Sequence, residues 1–185
     1  ACSQTAGSAI GCELMVFDIS SSTNPVYKAG RDADGSAGGT SAVEITRIRN
    51  TGNYLFLGKV GDATACSQSA GSASGCELMI FDISSSTNPV YKAGRDSDGS
   101  VDGNNSALNF NGIVQNKQYL YVGRSSATQA CSQTNGLMDG CELVVFDISS
   151  TTNPTMILGR DSTAGPGGSG GVNINTLMVN GSYLY

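Results

Sequence analysis

Six cysteines have the spacing that most clearly indicates a chemical role. They form three pairs whose members stand ten positions apart, namely Cys2 and Cys12, Cys66 and Cys76, and Cys131 and Cys141. Small and polar residues separate each pair, as in a loop between two neighbouring strands, where Cα atoms lie about 5–6 Å apart, a separation that a disulfide tolerates. Metal binding is disfavoured, because histidine is absent and no Cys-x-x-Cys spacing occurs. We predict three disulfides, which place the protein in an oxidising compartment: secreted, periplasmic or cell-surface.

An acidic, glycine-rich loop is the second candidate site. Residues 96–105 contain Asp96, Asp98 and Asp102 together with two asparagines. Ca²⁺ prefers six to eight oxygen ligands, which closely spaced carboxylates on a glycine turn can supply. The loop resembles the DxDxDGxxD calcium loops of integrin-type propellers, with Gly94 where the first Asp should stand. We predict a weak calcium site here; the alternative is a solvated turn whose Asp side chains accept hydrogen bonds from their own backbone.

Two further sets of charged residues return along the chain. Asp18, Asp82 and Asp147 each precede a Ser/Thr-rich stretch with Asn-Pro, and Arg31, Arg95 and Arg160 each precede an aspartate. A catalytic role for the aspartates is conceivable, but a cap on the following turn is the expected one. For the arginines we expect pairing within their own blade.

The composition excludes several functions. Without histidine, Ser-His-Asp and Cys-His catalysis are not available. Charged residues make up only 14% of the 185-residue chain and the net charge is −5, which disfavours binding to nucleic acid or to an anionic membrane. No apolar run approaches the roughly 20 residues needed to span a bilayer, so we expect no membrane insertion.

Internal repetition organises the whole chain. The Gly-Cys-Glu-Leu sequence at residues 11–14 returns at 75–78 and at 140–143, in steps of 64 and 65 residues. The sequences Phe-Asp-Ile-Ser, Asn-Pro and Gly-Arg-Asp keep the same register. We therefore divide the chain into repeats at 1–64, 65–129 and 130–185, the third of them truncated.

Each repeat contains four runs typical of β-strands, separated by turn residues. In the second repeat they cover residues 76–83, 89–94, 108–115 and 119–123, and no window has helical periodicity. The run Leu78-Met79-Ile80-Phe81 is apolar on both faces, so its sheet should be covered on both sides. Repeated four-stranded antiparallel sheets stacked on one another predict an all-β fold of β-propeller blades. A β-sandwich is the alternative, although its strands should alternate more cleanly.

The third repeat carries the sequence on which a family resemblance rests. The segment Glu142–Ser149, Asn153-Pro154 and then Met156-Ile157-Leu158-Gly159 resembles the LVIVD repeat, and residues 116–123 resemble the portion that precedes it. This resemblance covers all three repeats. It implies a propeller in a bacterial or archaeal surface or secreted protein, and it implies no enzymatic activity.

Three blades do not close a ring, since propellers have about four to eight. The chain begins with the later half of a blade and finishes with the earlier half. We therefore expect the chain to belong to a larger or multi-chain propeller, in which residues 183–185 pair with another segment or with a second copy of the protein.

The sequence predicts a non-enzymatic extracellular module that is structural or binds a surface protein or glycan. One alternative is a fragment of a secreted propeller enzyme, a polysaccharide hydrolase or lyase, but near-identical repeats argue against the asymmetry of an active site. Another is a carbohydrate-binding propeller. The chain has no Trp, so that function would need an exposed tyrosine such as Tyr27 or Tyr91 as a stacking surface.

Overall fold

The structure, a computed structural model, describes residues 2, 11–37, 43–61, 64–69, 72–85, 87–100, 108–125, 129–133, 140–163 and 171–185. The regular elements within these residues are all β-strands, which confirms the predicted all-β class. In chain order they are β1 (Leu14–Asp18), β2 (Val26–Arg31), β3 (Ile45–Thr51), β4 (Tyr54–Lys59), β5 (Ser67–Ser69), β6 (Ser72–Ser74), β7 (Leu78–Asp82), β8 (Val90–Arg95), β9 (Phe110–Asn116), β10 (Tyr119–Arg124), β11 (Leu143–Asp147), β12 (Thr155–Arg160), β13 (Val179–Asn180) and β14 (Tyr183–Leu184). A search of the same residues finds no helix with the length and apolar character needed to cross a membrane.

The strands form two four-stranded antiparallel sheets and three two-stranded ones. The first sheet has the order β3-β4-β7-β8, and the second sheet has the order β9-β10-β11-β12. β1 pairs with β2 in what we call the N-terminal sheet, and β13 pairs with β14 in the C-terminal sheet. β5 and β6 form a small hairpin between Cys66 and Cys76. The first sheet takes β3 and β4 from residues 1–64 and β7 and β8 from residues 65–129, so it spans the border between two predicted repeats.

Two-residue turns close the hairpins β3-β4, β9-β10 and β13-β14. Backbones with positive φ occur at the first turn residue, at Gly52 (54°), Lys117 (55°) and Gly181 (59°). Such turns match the right-handed twist of the strands they connect. The predicted turn at Asn116-Lys117 lies one residue later, because Asn116 still pairs with Tyr119.

The core lies between the sheets. The run Leu78–Phe81 is almost fully buried, as predicted for a strand covered on both faces. Leu78 and Ile80 pack with residues of the second sheet such as Phe146, whereas Met79 and Phe81 pack with Leu14 of the N-terminal sheet. The first sheet is therefore the middle layer of a stack.

Candidate functional site: contacts between neighbouring sheets

A glutamate follows the second cysteine of every pair and binds the backbone of the turn that follows the last strand of its sheet. Its Oε2 accepts the backbone N–H two positions after the Gly-Arg pair: Glu13 from Ala33 at 3.0 Å, Glu77 from Ser97 at 2.8 Å, and Glu142 from Ser162 at 2.9 Å. Glu77 and Glu142 are completely buried. Hydrogen bonds to a backbone N–H compensate the cost of burying such a carboxylate. We call the residues that receive these contacts, 32–36, 96–100 and 161–163, the acidic turns.

The acidic turn at residues 96–100 is held by its own backbone and side chains. The Asp96 N–H donates to Ser100 O at 3.0 Å, the Gly99 N–H donates to Asp96 O at 2.9 Å, and the Ser100 N–H donates to Asp98 Oδ1 at 2.8 Å. Asp96 is 1% exposed, and its Oδ2 is buried without a hydrogen-bond partner among the described residues. Burial, followed by the nearby charge of Asp98, raises the pKa of Asp96 to about 6, while backbone N–H groups oppose the rise.

A buried cation of the next sheet reaches each of the first two acidic turns. Lys59, at the end of β4, donates from Nζ to Ala33 O at 2.9 Å. Arg124, at the matching end of β10, donates from Nη1 to Ser97 O and from Nε to Cys141 O at 2.5 Å. Both side chains are at most 1% exposed. The acidic turns are therefore ordered partly by the sheet that follows them.

The predicted calcium ligands fall on this second acidic turn. Asp96 and Asp98 lie two residues apart in it, and Asp102 lies outside the described residues. Among the described residues, no group of three His, Cys, Asp or Glu side chains is placed to hold a metal ion. The contact from Arg124 supplies a second cation beside the turn, which the sequence analysis did not anticipate. Calcium binding stays a prediction.

Two of the arginines that precede the aspartates, Arg31 and Arg95, connect their sheet to the one that follows it. Arg31 donates from Nε to Pro89 O at 2.9 Å and from Nη2 to Asn88 Oδ1 at 2.6 Å. The same atoms of Arg95 donate to Pro154 O and to Asn153 Oδ1, both at 2.8 Å. The expectation of pairing within the blade was wrong for Arg31 and Arg95, because each guanidinium reaches the Asn-Pro of the following sheet. We call this contact the Arg–Asn-Pro contact.

The three disulfides are those that the spacing predicts: Cys2–Cys12, Cys66–Cys76 and Cys131–Cys141. The second one packs directly on β8. A Cβ atom added to Gly94 would lie 2.8 Å from Cys76 Sγ, so this position accepts only glycine without a shift of the bridge. Gly75, just before Cys76, has a φ of +71° and carbonyl oxygens within 2.5 Å of the place where a Cβ would be. Each disulfide is therefore built into the end of a sheet. Three disulfides indicate an oxidising environment.

The aspartates that follow the buried strands cap turns, as expected. Asp82 Oδ1 accepts the backbone N–H of Ser84 at 2.9 Å, and the hydrogen bonds from Ser84 hold its pKa below the ordinary value. Asp18 and Asp147 bind Ser20 and Ser149 in the same way at 2.9 and 2.8 Å. The geometry is that of a structural turn.

Neither tyrosine named as a carbohydrate platform is an open aromatic surface. Tyr91 is 9% exposed and packs edge-on against Phe81, with ring centroids 5.9 Å apart. Tyr27 makes the same contact with Phe17 and is half-buried. The expectation of an exposed Tyr91 was wrong, because the N-terminal sheet covers this face of the first sheet.

The comparison with protein families bears on the second sheet. Residues 139–160 match the LVIVD repeat. The matched residues include β11, β12 and the connection that carries Asn153-Pro154, which confirms the resemblance predicted for this segment. No curated protein and no solved structure matches the chain. The LVIVD repeat implies a propeller-like repeat module.

The repeated glutamate was visible in the sequence without an assigned role, and the buried cations were not identified from the sequence. Glu13, Glu77 and Glu142 stand in the same place of every repeat, so their identity was a usable signal. Lys59 and Arg124 differ in residue type, and their burial depends on a turn more than 25 residues away. These cations meet the acidic turns only because the sheets stack on one another.

Proposed function

We propose that this chain forms blades of a β-propeller and serves as a non-enzymatic structural or binding module outside the cell or at its surface. The LVIVD match, the four-stranded sheets and the stacked arrangement of the core support the propeller. The three disulfides support an extracellular setting.

The repeated use of charged groups between sheets is the observation that carries the non-enzymatic part of the proposal. Arg31 and Arg95 make the same contact in successive sheets, as do Glu77 and Glu142. An active site brings unlike groups together in one place, with geometry suited to a reacting atom. Contacts that recur from sheet to sheet instead stabilise a stack.

A turnover assay distinguishes this function from that of a secreted polysaccharide enzyme. The purified, oxidised chain would be incubated with neutral and acidic polysaccharides, and released reducing ends and unsaturated products would be measured against heat-denatured protein. We expect no release above this control. Release that disappears in an Asp82→Asn or Glu77→Gln variant that is still folded would overturn the proposal.

Affinity electrophoresis in gels containing the same polysaccharides tests the carbohydrate-binding alternative. We expect unretarded migration, because Tyr91 is buried and Tyr27 packs against Phe17. Retardation by one polysaccharide, abolished by excess of its oligosaccharides, would assign the module to carbohydrate recognition.

A further inference from the structure

Asparagine followed by glycine is a pair of residues prone to spontaneous chemical change in a polypeptide chain. The backbone nitrogen of the following residue attacks the amide carbon of the asparagine side chain, and glycine permits the closest approach because it has no Cβ. Three Asn-Gly pairs occur in this chain, at 111–112, 135–136 and 180–181. The pair at 135–136 lies outside the described residues, and the structure places the other two in opposite surroundings.

The pair Asn180-Gly181 lies in an open turn. Gly181 is the first residue of the two-residue turn between β13 and β14, with a φ of +59°. Asn180 and Gly181 are both exposed, and a Cβ atom added to Gly181 would meet no described atom within 4 Å. Among the described residues, the Gly181 N–H donates no backbone hydrogen bond outside the strand ladders. The nitrogen therefore has room to approach the Asn180 side chain.

The openness of this turn is a property of the hairpin and not of its place in the chain. Gly52 has the same position in the turn of the first sheet, which is a complete four-stranded sheet, and a Cβ atom added to it would also meet nothing within 4 Å. Lys117, at the same position in the second sheet, is exposed as well. Thr51 precedes Gly52, so that turn lacks the amide, and Lys117 follows Asn116, so that turn lacks the glycine. Of the three matching turns, the one at Gly181 alone combines both requirements.

The pair Asn111-Gly112 is crowded by comparison. Both residues belong to β9, where Gly112 is buried and lies opposite Gly123 of β10. A Cβ atom added to Gly112 would lie 3.2 Å from Thr176 Cα and 3.4 Å from Leu177 Cγ. A ring that closes on the Gly112 nitrogen would require this part of β9 to leave its neighbours. The fold therefore protects this pair.

We propose that Asn180 is a site of spontaneous deamidation through Gly181, whereas the fold prevents the same reaction at Asn111. Hydroxide takes the proton of the Gly181 N–H, and the nitrogen forms a bond to Asn180 Cγ. The Cγ–Nδ2 bond breaks, and ammonia leaves with a proton from water, which regenerates hydroxide. Water then opens the resulting succinimide at either of its two carbonyls, giving aspartate or isoaspartate. No oxidation or reduction takes place, and water is the only co-reactant.

The reaction changes both the charge and the backbone of an exposed turn. Either product adds a negative charge to a chain whose net charge is −5. Isoaspartate also routes the main chain through Cβ and Cγ of residue 180, which lengthens the backbone by one atom and disturbs the pairing of Asn180 with Tyr183. A protein that persists without resynthesis accumulates this change with time.

Peptide mapping by mass spectrometry would follow both pairs while the purified, oxidised chain is held folded at neutral and at mildly alkaline pH. Deamidation raises the mass of a peptide by one dalton, and chromatography separates the aspartate product from the isoaspartate product. We expect conversion at Asn180 to be at least tenfold faster than at Asn111, and faster at the higher pH because hydroxide removes the amide proton. In the chain unfolded by guanidinium, the two rates should agree within a few-fold, since only the fold distinguishes the pairs.

An exchange of turn residues tests the attacking nitrogen while keeping the hairpin. Lys117 has a φ of +55° at the position that Gly181 occupies in its own turn, so this kind of turn accepts lysine. Gly181→Lys should slow conversion at Asn180 at least tenfold, and Lys117→Gly should accelerate conversion at Asn116. Circular dichroism would confirm that both variants are folded. The proposal would be overturned by conversion at Asn111 as fast as at Asn180 in the folded chain, by an Asn180 that reacts only after unfolding, or by a Gly181→Lys variant that reacts as fast as the parent.

Discussion

The N-terminal sheet and the outer half of the first sheet have nearly the same sequence and very different surroundings. β1 and β7 differ only at Val16 and Ile80, and β2 and β8 are identical. Both pairs have the same register, with a bulge before the phenylalanine. Yet Phe81 is completely buried and Phe17 is 45% exposed. Local sequence therefore determines the hairpin, whereas a neighbouring sheet determines what the hairpin buries.

The largest difference should appear when each phenylalanine is truncated. Phe81→Ala should lower the free energy of unfolding by about 3–5 kcal/mol, because it leaves a cavity between two sheets. Phe17→Ala should cost about 1 kcal/mol in dilute solution, because nearly half of the ring already contacts water. Urea unfolding measures both. Equal costs would contradict the difference in burial.

The second largest difference should lie in how much stability each region loses when its disulfide is removed. Replacing Cys66 and Cys76 with serine should cost about 3 kcal/mol, since a short cross-linked loop is released. Both of these cysteines are at most 1% exposed, whereas Cys12 is half-buried, so the Cys2/Cys12 double variant should lose less. Denaturant midpoints of the two double variants decide this. A larger loss at Cys2/Cys12 would show that burial does not govern the ranking.

The third difference should lie between Arg95, at the end of the first sheet, and Arg160, at the matching place in the second sheet. Arg95→Ala should cost about 2 kcal/mol, because Pro154 O and Asn153 Oδ1 lose their donors at a buried contact. Arg160→Ala should change the stability of the chain by less than about 0.5 kcal/mol, because the described contact of Arg160 stays within its own strand. Thermal unfolding of the two variants side by side is the measurement, and equal destabilisation would refute the assignment of Arg95 to contact between sheets.

The pH dependence of stability should distinguish the buried carboxyl of Asp96 from the more exposed carboxyl of Asp82. The folded-state pKa of Asp96 is raised from 3.8 to about 6, so its contribution is fully present below pH 3.8 and is lost as the pH rises through 6. The loss should be about 3 kcal/mol, since each pKa unit corresponds to about 1.4 kcal/mol. The pKa of Asp82 is lowered, so its contribution is present above the unfolded value and is lost as the pH falls.

Asp96→Asn should therefore flatten the decline in stability between pH 4 and 6, and Asp82→Asn should weaken the acid-side loss. Urea midpoints at a series of pH values measure both effects. An unchanged slope between pH 4 and 6 in the Asp96 variant would show that another group titrates there.

Calcium should have the smallest effect and should distinguish the two acidic turns. With a Kd of about 10⁻⁴–10⁻³ M, 1 mM calcium would stabilise the chain by about 0.4–1.4 kcal/mol relative to chelator. Asp98→Ala should abolish this gain, whereas Asp34→Ala in the first turn should preserve it. Differential scanning calorimetry with calcium and with chelator is the test. Identical melting temperatures would contradict calcium binding and would show that the loop is a turn held by its own hydrogen bonds and by Arg124.

The sequence contained the information for the local structure and for the cysteine pairing. Apolar runs, turn residues and a constant ten-residue spacing are visible without knowledge of distant neighbours, so the strands of the first sheet and the pair Cys66–Cys76 could be anticipated. The role of Arg95 could not, since its acceptor lies 58 or more positions away and an adjacent Asp96 offered a simpler partner.

The candidate site was predictable only in part for a similar reason. The acidic turn at residues 96–100 is evident from its composition, but its ordering depends on Glu77, which directly precedes β7, and on Arg124 at the end of β10. A turn rich in carboxylates has the same composition whether its charge is balanced by an ion or by a buried guanidinium. Packing distinguishes the two, and composition does not.

The order of strands in the two large sheets has a consequence for how the chain acquires its structure during synthesis. Each strand pairs with the next strand of its sheet along the chain, and the Cys66–Cys76 bridge lies between β4 and β7. Pairings between near neighbours have a low loop-closure cost and form quickly. The first sheet can therefore be complete and cross-linked once β8 has emerged, before β9 has been made. After the N-terminal sheet, a growing chain exposes at most one further unfinished sheet at a time, which limits the edge available to other nascent chains.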